Sequence, residues 1–276
     1  MAGDLHGVWG EEDQLVLSAL HPDLVLFVGD LSDGDIRIAK SITQLPFPKA
    51  VILGNHDRGG DPSGNVLQSQ LRLLAGLHCG WKHLYWEELG VSVVGARPCS
   101  GGGGFHLSEA VKNVFGPITI EESVDRIVSA TKRAQEDIPL IILAHSGPTG
   151  LGSDSNSICG RDWKKPAIDW GDKDLALAID KIREFRNPEL VVFGHMHHQL
   201  YRGGGIRKTF YKDQFGTFYL NTACVPRRVK DRDGNILSCF SQVDILEGKV
   251  IFAAHLWIAS NGRIVYQETL LDKKIG

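Results

Sequence analysis

Short apolar runs alternate with helix-like segments through the first part of the chain. Residues 24–28 and 50–53 form continuous apolar runs, which indicates strands covered on both faces of a parallel sheet. Residues 10–20 and 35–44 place their apolar side chains at helical spacing instead. The succession of these segments predicts a βαβαβ arrangement.

The same alternation continues to about residue 193 and then gives way to strands. Further helices are predicted over residues 61–75, with Gly76 as a C-cap, 119–135 and 172–185. Further strands are predicted over residues 83–88, 91–96, 139–144, 189–193, 217–221, 237–245, 250–259 and 264–271. The basic residues 227–230 are interpreted as a solvated turn. The pattern as a whole predicts the α/β class.

Two loops have compositions that differ from those of plain connectors. Residues 99–104 read Cys-Ser-Gly-Gly-Gly-Gly and lack the spacing of a phosphate-binding turn, so a flexible loop at the rim of a site is the favoured interpretation. Residues 146–171 are rich in Gly, Ser, Asp and Pro and are long for a connection. Such loops often line substrate sites.

The overall composition narrows the class of protein. With 276 residues, 42% hydrophobic and 23% charged, the chain is typical of a soluble globular protein, and we expect one domain over residues 1–276. Its apolar runs are shorter than a membrane span, and a net charge of -3 without a long basic block makes a nucleic-acid partner unexpected. The five cysteines are scattered, which favours buried thiols in a reducing compartment.

Polar side chains that bind metals recur at or just after the predicted strand ends. They are Asp4, His6, Asp30, Asn55, His145, His195 and His197. Strand ends of one sheet converge, so these side chains can share a site. Carboxylate, imidazole and amide donors without thiolate suit Mn, Fe or Zn. Seven ligands exceed what one open metal site uses, which favours two metals with Asp30 as the bridge.

The first of these motifs has little chain before it. Only Met1, Ala2 and Gly3 precede Asp4, whereas a strand of about five or six residues is usual before such a motif. We therefore expect a truncated first strand and weaker support for Asp4 and His6.

The order and spacing of these motifs resemble those of the calcineurin-like metallophosphoesterase superfamily. The chain carries Asp-x-His at 4–6, Gly-Asp at 29–30, Gly-Asn-His-Asp at 54–57, a lone His145 and Gly-His-x-His at 194–197. Asp4 and Asp30 are 26 residues apart, and Asp30 and Asn55 are 25 apart. Residues 48–57 and 147–152 also look like a branch from plants and cyanobacteria.

This resemblance implies a fold and a division of roles. The fold would be two mixed β-sheets packed face to face with helices outside, a four-layer αββα sandwich. Asp4, His6 and His197 would hold one metal, Asn55, His145 and His195 the other, and Asp30 would bridge them. His56 would protonate the leaving oxygen, with Asp57 holding its ring. Arg58 and Arg161 are candidate partners of the substrate phosphate.

The resemblance implies hydrolysis of phosphomonoesters or small phosphodiesters, with two metal ions as cofactors and a phosphorylated small molecule as substrate. Residues 29–34 lack the arginine of phosphoprotein phosphatases, and Asp57 stands where theirs usually has Glu, so a protein phosphatase is disfavoured. A non-catalytic protein-binding scaffold and a nuclease remain alternatives. A soluble intracellular location is expected, cytoplasmic or, for the plant branch without its transit peptide, plastid.

Overall fold

The helices and strands of the computed structural model, which describes residues 1–201 and 204–273, follow the order of the apolar runs. The helices are α1 (Glu11–Leu20), α2 (Ile36–Thr43), α3 (Asn65–Leu73), α4 (Glu109–Phe115), α5 (Ile120–Thr131) and α6 (Lys173–Arg183). The strands are β1 (Val25–Phe27), β2 (Lys49–Val51), β3 (His83–Trp86), β4 (Val91–Gly95), β5 (Leu140–Leu143), β6 (Leu190–Phe193), β7 (Phe210–Lys212), β8 (Phe218–Asn221), β9 (Arg228–Lys230), β10 (Ile236–Leu246), β11 (Lys249–Ala259) and β12 (Ile264–Asp272).

One sheet is mixed and has its parallel strands in the centre. Its strand order is β3-β4-β5-β6-β8-β7, with parallel pairing from β4 to β8 and an antiparallel strand at each edge. Strands β5 and β6 are buried along their whole length, as expected for strands covered on both faces. Both of these strands therefore point their carboxyl ends, and the histidines that follow, to the same edge.

The remaining strands are connected through the first two residues of the chain. Strands β1 and β2 pair in parallel, and Ala2 forms a bridge with Phe27 of β1. The terminal amine of Met1 donates to the Ser241 carbonyl at 2.7 Å, which ties this pair to the antiparallel order β12-β11-β10-β9. The turn after β1 therefore lies beside the turn after β6.

The α/β class with mixed sheets is confirmed, and helix α5 begins with a capping box. The Thr119 hydroxyl accepts from the Glu122 amide at 3.2 Å, and the Glu122 carboxylate accepts from the Thr119 amide at 2.7 Å. Helix α3 has its C-cap at Leu74 rather than at Gly76. The assignment of the whole chain to one domain stays a prediction.

The basic residues 227–230 are not a solvated turn, and that prediction is wrong. Arg228–Lys230 is strand β9, and the Arg227 guanidinium is buried. Arg227 donates to the Asp13 carboxylate of α1 at 2.7 Å, and Arg228 pairs with the same carboxylate. These cations therefore fasten α1 to the sheet.

In the part of the chain that the structure describes, no helix combines the length and the apolar character that crossing a bilayer requires.

Candidate metal centre

Sharp turns at the strand ends bring the predicted ligands together. Asp4, His6, Asp30 and His195 adopt φ values of 49°, 44°, 48° and 66°, in the left-handed region that side chains other than glycine rarely occupy. The Asp4 amide donates to the Gly29 carbonyl at 3.1 Å, and the His6 amide donates to the Asp30 carbonyl at 2.8 Å. Strained backbone of this kind concentrates at functional sites, where the surrounding structure holds it in place.

The first group of ligand atoms comes from the first and the last of the sequence motifs, Asp-x-His at 4–6 and Gly-His-x-His at 194–197. The donor atoms of Asp4, His6 and His197 all lie within 4.8 Å of one another. The two Nε2 atoms of His6 and His197 are 3.3 Å apart, and His197 Nε2 lies 3.7 Å from Asp4 Oδ1. Asp4 is buried, whereas the two rings are partly exposed. The group is open to solvent on the histidine side.

The second group lies deeper. The donor atoms of Asp30, His145 and His195 also lie within 4.8 Å of one another. His145 Nε2 is 3.0 Å from Asn55 Oδ1 and 3.4 Å from Asp30 Oδ1. Because the Val28 carbonyl, 2.7 Å from His145 Nδ1, can only accept a hydrogen bond, that nitrogen carries a proton, and Nε2 faces the carboxylate.

Asp30 faces both groups. Its Oδ1 lies near His145, as described above, and its Oδ2 is 4.0 Å from His6 Nε2. The His56 amide also donates to Oδ1 at 2.8 Å, which fixes the orientation of the carboxylate. All seven predicted ligands are thus brought together, with Asp30 between the two sets.

Glycines make room for these carboxylates. A Cβ atom at Gly54 would strike Asp30 Oδ1, and one at Gly194 would strike Asp4 Oδ2. The glycines that precede Asn55 and His195 in the sequence motifs are therefore required by close packing against the acidic ligands.

Burial and mutual charge shift the pKa values of the ligand side chains. Burial raises the pKa of Asp4 to about 7. For Asp30, burial alone would raise the pKa, but the charge of His145 and the hydrogen bond with it outweigh burial and hold the pKa well below its usual range. Burial lowers the pKa of His195 to about 3 and that of His197 to about 4. The last two rings are therefore neutral at pH 7, the form that binds metal.

The residues fit a pair of metal ions. His195 Nε2 is buried without a hydrogen-bond partner, which is costly for a ring nitrogen unless something else occupies its lone pair. Two buried carboxylates and several neutral imidazoles face a common space, and oxygen and nitrogen donors of this kind suit Mn, Fe or Zn.

His56 lies beside the first group but pairs with a different carboxylate from the one predicted. Its ring stands edge-on to His6 with the centroids 5.1 Å apart. His56 Nδ1 is 2.7 Å from Asp33 Oδ1, and both side chains are exposed. The ring is therefore oriented by Asp33, which follows Asp30 by three residues. The sequence contains this carboxylate, but its spacing gives no sign that it reaches His56.

The prediction that Asp57 holds the His56 ring is wrong. Asp57 is fully buried and accepts from the Ser32 amide at 3.0 Å and from the Gly54 amide at 2.8 Å. Burial and the charge of Asp30 raise the pKa of Asp57 to about 8. Asp57 thus ties the loop after β1 to the turn after β2 and acts on the backbone rather than on the His56 ring.

The two predicted phosphate partners occupy different surroundings. Arg58 is half-buried and lies near the glycine-rich loop 99–104, because its charge partly opposes the rise that burial causes in the pKa of the Cys99 thiol. Arg161 donates to the Pro166 carbonyl at 2.8 Å and lies over the Trp170 ring, 5.1 Å from its centroid. Arg161 therefore stabilises the loop in which it lies, and its contact with substrate stays a prediction.

Comparisons with known proteins agree with this arrangement. A family model described as calcineurin-like phosphoesterase matches residues 1–199. The fold is similar to that of TT1561 of Thermus thermophilus, with 14% identity, 85% of this chain and 94% of that chain covered, and a TM-score of 0.51. It is also similar to a dimetal phosphatase from Danio rerio, with 11% identity, 98% and 97% of the two chains covered, and a TM-score of 0.51.

At these identities the structural likeness is one of fold, and the family match carries the assignment. The comparison with curated proteins found no match. The family model includes every residue of the two ligand groups, from Asp4 to His197. The chain therefore belongs to the calcineurin-like phosphoesterase family and is a hydrolase that acts on phosphoric esters.

Proposed function

We propose that the protein hydrolyses phosphomonoesters or small phosphodiesters at a two-metal centre. Asp4, His6 and His197 would hold one metal ion. Asn55, His145 and His195 would hold the other, with Asp30 shared between them. The observation that carries this proposal is the position of Asp30, whose two oxygens face the two separate groups of ligand atoms. The likeness of fold to a dimetal phosphatase supports it.

Metal ions bound there would lower the pKa of a water from 15.7 towards about 7 and so supply hydroxide at neutral pH. The chain itself provides the proton for the leaving oxygen. His56 is exposed beside the first ligand group, and Asp33 at its Nδ1 orients the ring. His56 Nε2 is then free to donate a proton to the departing alkoxide or phenoxide.

The test is hydrolysis of a chromogenic phosphomonoester and of the matching diester by protein loaded with Mn²⁺. We expect turnover of at least one ester, and we expect a chelator to abolish it because the ligand groups lose their ions. Absence of chelator-sensitive turnover with Mn²⁺, Fe²⁺ and Zn²⁺ would contradict the enzymatic proposal and favour the scaffold alternative.

The same assay separates the roles of His56, Asp33 and Asp57. His56→Ala should lower kcat roughly 10²- to 10⁴-fold, the usual contribution of a general acid, while the bound metal content stays unchanged. Asp33→Asn should lower kcat less and leave stability unchanged because both side chains are exposed. Asp57→Asn should chiefly lower the melting temperature. Equal kcat for His56→Ala and wild type would remove His56 from the mechanism.

A further inference from the structure

Two hairpins follow the metal-ligand segments and are not explained by phosphate-ester chemistry alone. Residues 159–170 form the first, in which the Trp170 amide donates to the Cys159 carbonyl at 2.8 Å and the Arg161 amide to the Ile168 carbonyl at 2.8 Å. The second begins at Gln199, which bridges Ile206. The first hairpin follows His145 in the chain, and the second follows His197.

The glycine-rich loop 99–104 connects the first hairpin to the metal centre. Trp170 Nε1 donates to the Gly101 carbonyl at 3.0 Å. A Cβ atom at Gly101 would lie 3.7 Å from Asn55 Cβ, and one at Gly103 would strike the Trp170 ring. The glycines thus let the backbone pack between a metal ligand and this indole ring. The backbone of loop 99–104 therefore lies between Trp170 and Asn55.

Arg207 connects both hairpins to the other side of the centre. Its Nε donates to the His197 carbonyl at 2.9 Å, and its Nη1 donates to the Gly160 carbonyl at 2.6 Å. Its Nη2 lies 3.4 Å from the Asp162 carboxylate, which also accepts from the Tyr201 amide at 2.5 Å. The buried guanidinium therefore fixes residues 160–162 relative to a metal ligand.

The surface that these contacts hold in place is aromatic. Trp163 stands edge-on to Trp170, with the ring centroids 5.2 Å apart, and 36% of Trp163 is exposed. Tyr201 is 78% exposed, and Ile168 is also exposed. Lys164 and Lys165 are exposed beside them. Exposed aromatic side chains on segments that are fastened to a candidate metal ligand, with cations next to them, suit a flat apolar ligand that carries negative charge.

We propose that Trp163 and Tyr201 bind the leaving group of the substrate, and that this group is a planar aromatic ring, as in a nucleotide or an aryl phosphate. The inference rests on the proposed function, because the phosphoryl group is taken to occupy the metal centre. A phosphoester there would lie next to Asn55, and Gly101 and Trp170 connect Asn55 to Trp163. Stacking of a ring on an exposed aromatic side chain contributes binding for any base, since each base has a π-face.

The test compares AMP, 1-naphthyl phosphate and glycerol 2-phosphate as substrates of the Mn²⁺-loaded protein. We expect Trp163→Ala to lower kcat/KM for the aromatic esters roughly 5- to 150-fold, mainly through KM, the range that loss of one stacking contact gives. The rate with glycerol 2-phosphate should stay within about twofold of wild type, because it offers no ring to stack. Trp163→Phe should restore most of the loss, since a flat ring remains.

A matched control variant tests whether the effect is specific to Trp163, and a binding measurement tests the inference without turnover. Tyr266→Ala removes an exposed aromatic side chain from β12, outside the two hairpins, and should leave all three rates unchanged. Calorimetric titration with AMP should show saturable binding that Trp163→Ala weakens by a similar factor. AMP would identify a nucleobase as the ring, and turnover of 1-naphthyl phosphate alone would identify a simple aryl group.

Two results would overturn the inference. The first is equal kcat/KM for aromatic and aliphatic esters that Trp163→Ala leaves unchanged, which would leave the proposed phosphoesterase activity standing. The second is that neither AMP nor 1-naphthyl phosphate binds, or that Trp163→Ala leaves the binding of both unchanged. Absence of chelator-sensitive turnover with all three esters would instead contradict the proposed function, and the calorimetric titration would then decide whether the aromatic surface binds such a ring.

Discussion

Two clusters of buried charge follow neighbouring strands, and they differ in what neutralises them. Arg97, after β4, donates to Asp174 at 2.9 Å and to Asp172 at 2.8 Å. Ser123 and Ser100 donate further hydrogen bonds to these carboxylates. All three ionic side chains are almost completely buried. This cluster has its own cation, and its carboxylate oxygens have donors supplied by the protein.

In the part of the chain that the structure describes, no arginine or lysine pairs with the carboxylates of the second cluster, which lies after β5 and β6. Asp4 and Asp30 are as deeply buried as the partners of Arg97, yet histidines surround them. One of these rings, that of His195, has a buried Nε2 without a partner. The charge of His145 offsets that of Asp30, whereas burial raises the pKa of Asp4 to about 7. The first cluster thus contains its own arginine, whereas the second presents histidine and carboxylate atoms at which a cation can bind.

The largest effect is expected when the internal cation is removed. Arg97→Met leaves Asp172 and Asp174 buried without their counter-ion and should lower the free energy of unfolding by about 3–5 kcal/mol. Urea unfolding at pH 7 measures this loss. Arg37→Met is the matched control, because Arg37 makes a similar pair with Asp35 on the surface and should change stability little. Equal stability of Arg97→Met and wild type would show that the carboxylates are neutral without Arg97.

The second cluster should respond to metal instead. Adding Mn²⁺ at about 100 times its Kd should stabilise the wild type by about 2.7 kcal/mol, because the ion binds only the folded chain. Differential scanning calorimetry with and without chelator measures this gain. Asp30→Asn should lose most of it, since both ligand groups share this carboxylate.

Arg97→Met provides the contrast in the same calorimetric experiment. This variant should keep the metal-dependent gain, although it begins from a lower melting temperature. A metal-dependent gain that is equally large in Asp30→Asn and in wild type would place the bound ion elsewhere and remove the distinction between the two clusters.

The convergence of the candidate ligands was predictable because five of the seven directly follow a short apolar run or a glycine, and the other two, His6 and His197, each lie two residues after one of these five. Parallel strands end at one edge of a sheet, so the topology brings together what the sequence places after each strand. The roles of Asp33 and Asp57 were not predictable in this way. The turns after β1 and β2 lie side by side, and only their folded geometry shows which carboxylate reaches His56.

The parts of the fold that were missed depend on partners far away in the chain. Strand β9 was interpreted as a turn because its cations suggest solvent, whereas Arg227 and Arg228 pair with Asp13 of α1, more than 200 residues away. Helix α4 has only 7 residues, and its N-cap Ser108 closely follows the glycine-rich loop. A short helix beside such a loop gives little periodic signal.

The smallest effect concerns the proton balance of the Arg97 cluster. Burial raises the pKa of Asp172 from 3.8 to about 7. The Arg97 guanidinium opposes this rise, but it carries one positive charge for two carboxylates. The folded chain therefore holds a proton that the unfolded chain releases, so this contribution to stability is complete below about pH 4 and is lost as the pH rises towards 7.

Asp172→Asn carries no such proton. Its unfolding free energy relative to wild type should rise between pH 4 and pH 7 by at most about 1.4 kcal/mol per pH unit, while the exposed control Asp125→Asn should show no comparable rise. A pH-independent difference between Asp172→Asn and wild type would mean that Asp172 is ionised beside Arg97 throughout, and that the first cluster keeps a net negative charge despite its arginine.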